Sequence, residues 1–217
     1  FGLVLLLVGI PHGGIDHLIH NPDIRPQGLV SFILRYLLLM LGYGLLWWFV
    51  PLAALIAFLG MSAYHFGQSH FLEQGKLENR EGLLYLLKGA FFLFLILFGD
   101  WSMTQKILSS MISMDLSEEF RLGFLGCLLV SSLIAQGFSA KPFGLTDGLD
   151  YLILAPILYF SPLLISFSVY FGFWHSLPSM LAEYTYLRQI PAFNSPLKFE
   201  IIVLNSFVFF NPILSIN

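Results

Sequence analysis

The chain has 217 residues, of which 57% are hydrophobic, 17% aromatic and 11% charged. Its mean hydropathy is +0.81, and an ordinary soluble domain carries about 25% charged residues, so a soluble globular fold is excluded. The net charge of −3 excludes the clustered basic surface of a nucleic-acid-binding protein, and the single cysteine, Cys127, excludes an internal disulfide or a cysteine metal cluster.

At roughly 20 residues per membrane-spanning helix, the length supplies about eight spans and no separate extramembrane domain. The opening apolar run has no initiating methionine, basic n-region or small-residue cleavage site, so it reads as the remainder of a helix and not as a signal peptide. Both ends are expected to be clipped. In chain order the apolar runs predict helices over 1–19, 29–49, 52–71, 82–99, 120–139, 147–160, 163–183 and 199–214. The expected fold is therefore all-α, a polytopic transmembrane bundle of about seven to eight spans forming one integral-membrane domain over 1–217. Val50-Pro51 and Ser161-Pro162 predict very tight connections, because proline opens a helix and disfavours helical backbone in the residue before it. Between the fourth and fifth spans, QKILSSMISM predicts an amphipathic helix on the membrane surface.

Loop bases set the orientation. Arg25, Lys76, Arg80, Lys141, Arg188 and Lys198 fall on one side, with Arg35 and Lys88 in the helix portions nearest to it, against Lys106 and Arg121 on the other. The richer side is expected in the cytoplasm, and a bacterial or archaeal inner membrane is the expected location.

Six histidines occur in three places: His12, His17 and His20 in PHGGIDHLIH, His65 and His70 in AYHFGQSH, and His175 in FGFWHSLPSM. The groups lie in the later halves of predicted helices one, three and seven, which run in the same direction, so all three fall in the cytoplasmic half of the membrane. Polar side chains at that depth are costly and mark a pathway, a relay or a bound ion, and neutral imidazole is the commonest metal ligand. Three groups at matching depth point to a metal, with iron, zinc and copper all open. His65 and His70 are about 140° apart around a helix, so one of the two is expected to be a bystander. His12 and Asp16 share a face, where the carboxylate can hold an imidazole tautomer; a solvated helix-end carboxylate is the alternative. His20 precedes the polar NPDIRPQG loop and is expected at the interface. Gly13, Gly14 and Gly67 adjoin or lie near histidines, where a ligand, an elongated substrate or a second helix could approach the backbone. Most aromatic residues are expected to pack or face lipid, while Tyr64, Phe66, Phe171, Phe173 and Trp174, near the histidines, could line a slot for a flat apolar molecule. HExxH is absent, which disfavours a zinc-dependent membrane protease.

The stretches GIPHGGIDHLIH at 9–20, SAYHFGQSH at 62–70 and YFGFWHS at 170–176 resemble, in order and on a multi-span background, the Brp/Blh family of membrane-bound beta-carotene 15,15'-dioxygenases. The resemblance implies a non-haem Fe(2+) enzyme that splits the central double bond of beta-carotene with O2 into two molecules of all-trans-retinal. It further implies that His12, His65 and His175 bind the iron. The family often has a histidine four residues after the last of these, where this sequence has Ser179; His17, His70 or a water is expected to take that place, with His17 preferred. Substrate dissolved in the lipid bilayer accounts for the apolar composition, and a retinal-using rhodopsin is the downstream consumer that the resemblance suggests. Alternatives are an inactive carotenoid- or retinal-binding relative and a transporter-like helix bundle. A transporter is expected to spread charged side chains through the midplane, and a retinal pump needs a lysine deep in a late helix. Neither pattern is read here, Lys88 being placed at the start of the fourth span.

Overall fold

A computed structural model describes residues 2–4, 26–71, 81–109, 111–112, 115–140, 143–187 and 189. No β-strand occurs among them, in keeping with the all-α expectation. After a helical turn at Gly2–Val4 come α1 (Pro26–Phe49), α2 (Pro51–Ser69), α3 (Gly82–Gly99), α4 (Trp101–Leu108) and α5 (Glu118–Gly137). Two composite helices follow. In α6, Leu145–Leu149 continues as a π-helix over Asp150–Leu154 and ends as Ala155–Phe160. In α7, Leu163–Ser168 leads into a π-helix over Val169–Ser176 and then Leu177–Leu187. The predicted spans 1–19 and 199–214 lie outside the described residues apart from 2–4.

Three helices, Val30–Phe49, Gly82–Gly99 and Glu118–Gly137, are long and apolar enough to cross a membrane, and the chain is a membrane protein. Proline sets the breaks as expected. Pro51 stands in the first turn of α2, one residue after α1 ends, and Pro162 is the N-cap residue of α7. The helix expected over QKILSSMISM is found earlier in the chain. It begins at Trp101 because the Asp100 side chain caps it, accepting from Met103 N at 3.2 Å, so its apolar turn joins α3 directly and it ends at Leu108 within QKILSSMISM.

The chain divides into two compact units, Gly42–Tyr170 and a second made of Phe1–Leu41 with Phe171–Asn217. In the first, α3 is the central element and packs on α2, α5 and α6. Its buried residues include Leu84, Tyr85, Phe91, Phe92 and Ile96. The α2–α3 interface is in backbone contact. A Cβ on Gly67 would overlap the Tyr85 carbonyl, and one on Gly89 would overlap the Ala63 carbonyl and the Gly67 nitrogen. Of the three partners open to Gly67 on sequence grounds, the structure selects a second helix, held by the small-residue packing common within membranes. Gly99 makes the same close approach to Tyr159 of α6. In the second unit, the Val4 side chain rests on Gly172.

Candidate functional site

The histidines fall into different settings. His12, His17 and Asp16 lie outside the described residues. His65 is exposed on α2. His175, in the other unit, is 1% exposed and sits in the π-helical Val169–Ser176 with its ring 5.9 Å from that of Phe171. Extra residues in a helical turn recur at functional sites because they displace a side chain from its regular α-helical position. Ser179 is buried, at 8% exposure. Of the predicted slot residues, Tyr64 packs edge-on to Tyr85 at 6.1 Å and Phe66 edge-on to Tyr170 at 5.5 Å, both inside the Gly42–Tyr170 unit. Phe171 and Trp174 are half-buried and Phe173 is exposed. Among the described residues no three ligating side chains converge.

His70, by contrast, is fully engaged. Its Nδ1 lies 2.7 Å from Asp150 Oδ2, its Nε2 lies 2.9 Å from the Tyr170 hydroxyl, and the ring stacks on Phe92 at 4.6 Å. An ionised carboxylate only accepts, so a neutral His70 donates from Nδ1–H to Asp150, and its Nε2 accepts from the Tyr170 O–H. Both ring nitrogens of His70 are thus engaged in hydrogen bonds within the protein.

His70 also opens onto an ionic cluster that the sequence reading missed. Lys88 Nζ donates to Asp147 Oδ1 at 2.5 Å and reaches Asp150 Oδ2 at 3.1 Å. Lys88 is 0% exposed, Asp147 1% and Asp150 4%, and the rings of Phe71 and Tyr151 face the ammonium at 4.7 and 5.4 Å. Asp147 additionally accepts from Gly144 N at 2.8 Å. Lys88 stands in the first half of α3, where the predicted span placed it, but it is fully buried, so charged side chains are present inside this unit. Signals existed in the sequence. Lys88 is the sole charge between Gly82 and Gly99, and Asp147 and Asp150 stand three apart at the head of an apolar run, a spacing that puts both on one helical face. Ionisable groups in such runs are functional candidates by default.

A sequence profile described as beta-carotene 15,15'-dioxygenase matches residues 3–207, which include all three histidine groups. The chain belongs to this family. A curated relative from uncultured marine bacterium 66A03, named beta-carotene 15,15'-dioxygenase, is 35% identical over 72 residues, a match that covers 31% of this chain and 26% of the relative. The match thus spans about a quarter of that relative's length. No solved structure matches. Family membership agrees with the resemblance carried by the three histidine stretches.

Proposed function

We propose that this chain is a membrane-embedded, iron-dependent dioxygenase that cleaves the central 15,15' double bond of beta-carotene with O2 to give two molecules of all-trans-retinal. The observation that carries the reading is the family match over 3–207, within which the three histidine stretches stand in order.

Fe(2+) fits the donor chemistry. His65 and His175 are nitrogen donors on different helices, the His175 imidazole is buried within the bundle, and Cys127, the only thiol, is exposed on α5. In this proposal His12, His65 and His175 hold the metal, His17 is the fourth protein ligand, and Asp16 orients the His12 ring. Val4 packed on Gly172 supports the inclusion of His12, since the chain leading into PHGGIDHLIH then starts beside the segment that carries His175. When bound, iron supplies the redox capacity to use O2 on a carbon–carbon double bond. The chain's own contribution is to bind and place the substrate. Phe171, Phe173 and Trp174, beside His175, provide aromatic surface for a flat polyene, and apolar surroundings exclude water. Cleavage at the middle of a symmetrical chain then follows from holding both halves in equal register.

The test is production of the full chain in a beta-carotene-making bacterium. Bleaching of the cells with formation of retinal is expected, together with about one iron per purified chain. Unchanged carotenoid in cells that express the folded protein would overturn the reading in favour of an inactive carotenoid-binding relative.

A further inference from the structure

The Lys88 cluster lies outside the proposed iron ligands, and no step of the proposed cleavage uses it. Its members alternate donor and acceptor along one unbroken path inside the Gly42–Tyr170 unit. Asp147 meets Lys88 at 2.5 Å, Lys88 meets Asp150 at 3.1 Å, Asp150 meets His70 at 2.7 Å, and His70 meets Tyr170 at 2.9 Å. Both π-helical segments supply it, since Asp150 opens the first and Tyr170 is the second residue of the other. Among the described residues, a further titratable neighbour is Tyr151, whose ring faces Lys88 and whose hydroxyl is 3.1 Å from Ser132 Oγ.

A purely structural cluster would be sealed at both ends, and this one is not. A cleft of about 490 Å³ is lined by Leu133, Gln136 and Gly137 at the end of α5, by Ser139 and Ala140, and by Phe143. Glu81 pins its rim by accepting from Ala140 N at 3.0 Å. Gln136 is only 3% exposed, yet neither of its amide atoms has a hydrogen-bond partner among the described residues. The amide lies beside the Asp147 carboxylate. A buried amide left in this condition costs free energy unless water reaches it, and the cleft opens beside the Gln136 amide and Ser139.

We propose that the cleft and the chain Gln136, Asp147, Lys88, Asp150, His70 and Tyr170 form an intramembrane proton relay, with water at the Gln136 end and the Tyr170 hydroxyl at the other. His70, Asp150, Lys88 and Asp147 each give up one proton as they take one, while Gln136 holds the water at the cleft end and takes no proton. For a proton leaving Tyr170, the hydroxyl hydrogen passes to His70 Nε2, the Nδ1 hydrogen passes to Asp150, Asp150 hands a proton to Lys88 as Lys88 releases one to Asp147, and Asp147 loses its proton to water in the cleft. The reverse sequence reprotonates Tyr170. No other bond is made or broken, and the ligand of the site is the proton itself. Chains of this composition inside membranes are the usual substrate of proton conduction. The inference is independent of carotene cleavage.

The experiment follows the His70 ring hydrogens in the full chain, ¹⁵N-labelled at histidine and held in lipid nanodiscs, after transfer to deuterium oxide. His70 is assigned by the signal that disappears in His70→Gln or, if that variant does not fold, by the signal that moves in Tyr170→Phe. The relay predicts rapid exchange in the unmodified chain, a slowing of at least about tenfold in Gln136→Leu, which plugs the cleft with a side chain of similar size, and recovery in Gln136→Glu. Ring hydrogens as protected as core amides in the unmodified chain, or an exchange rate untouched by Gln136→Leu, would overturn the relay and leave the cluster a structural one.

Discussion

The two faces of α2 show how little composition says about environment. One stripe carries Ala63, Phe66, Gly67 and, one turn on, His70; the other carries Phe58, Met61 and His65. Both repeat with the helical period and both end in a histidine. The first stripe is buried, and its glycine brings the helix into backbone contact with α3. The second is exposed. Ala63 and Gly67 let α3 approach to backbone contact, and His70 at the end of that stripe is within reach of Asp150 and Tyr170, whereas Phe58, Met61 and His65 point away from that interface. One histidine is thereby engaged by Asp150 and Tyr170, and the other is the one to which the proposal gives a metal role.

The comparison breaks most visibly at the histidine of the outer stripe. His65→Ala is expected to remove retinal formation by more than the roughly 100-fold that the loss of an orienting partner costs, with the yield of folded protein unchanged. Retinal extraction and gel filtration of the same preparation check this, and retained activity would place the ligand elsewhere. On the inner side the loss is one of stability. Lys88→Met strands two buried carboxylates, which costs about 3–5 kcal/mol, and thermal melts in detergent should show a large drop or no folded protein at all.

Smaller effects sharpen the contrast. Gly67→Ala forces a methyl group against the Tyr85 backbone and is expected to cost about 1–3 kcal/mol, while Gly60→Ala, with no atom within 4 Å of the added carbon, should stay within about 0.5 kcal/mol. Equal melting shifts would refute the backbone contact. The mildest change is Ser179→His. It should raise the iron retained per chain and increase bleaching only a few-fold, as measured by metal analysis beside the carotene assay. Unchanged iron would mean that another side chain already fills the fourth position.

Much of the helical framework was legible in the amino-acid order. Gly82–Gly99 coincides with its predicted range, and α5 is two residues earlier at each end than 120–139, because long apolar runs bounded by polar residues leave few alternatives. Prolines 51 and 162 marked their breaks for a local steric reason. The start of the helix expected over QKILSSMISM was missed because hydropathy alone does not register that Asp100 can cap a turn starting at Trp101. In the site, the three histidine stretches were visible, yet the partners of His70 were not. Asp150 and Tyr170 lie 80 and 100 residues away from it along the chain, and no local pattern encodes contacts of that span.

By itself the sequence determined a membrane protein, its apolar helices, its proline breaks and the rare polar residues from which any chemistry must be drawn. These follow from local rules of hydrophobic length and backbone sterics. Only the tertiary structure decided which side chains are spent on one another. Lys88, Asp147, Asp150 and His70 come from two helices, α3 and α6, and the end of α2, and their pairing depends on α3 lying at glycine distance from α2. Burying a charge is tolerable only beside its partner, and that partner is found in space and not along the chain.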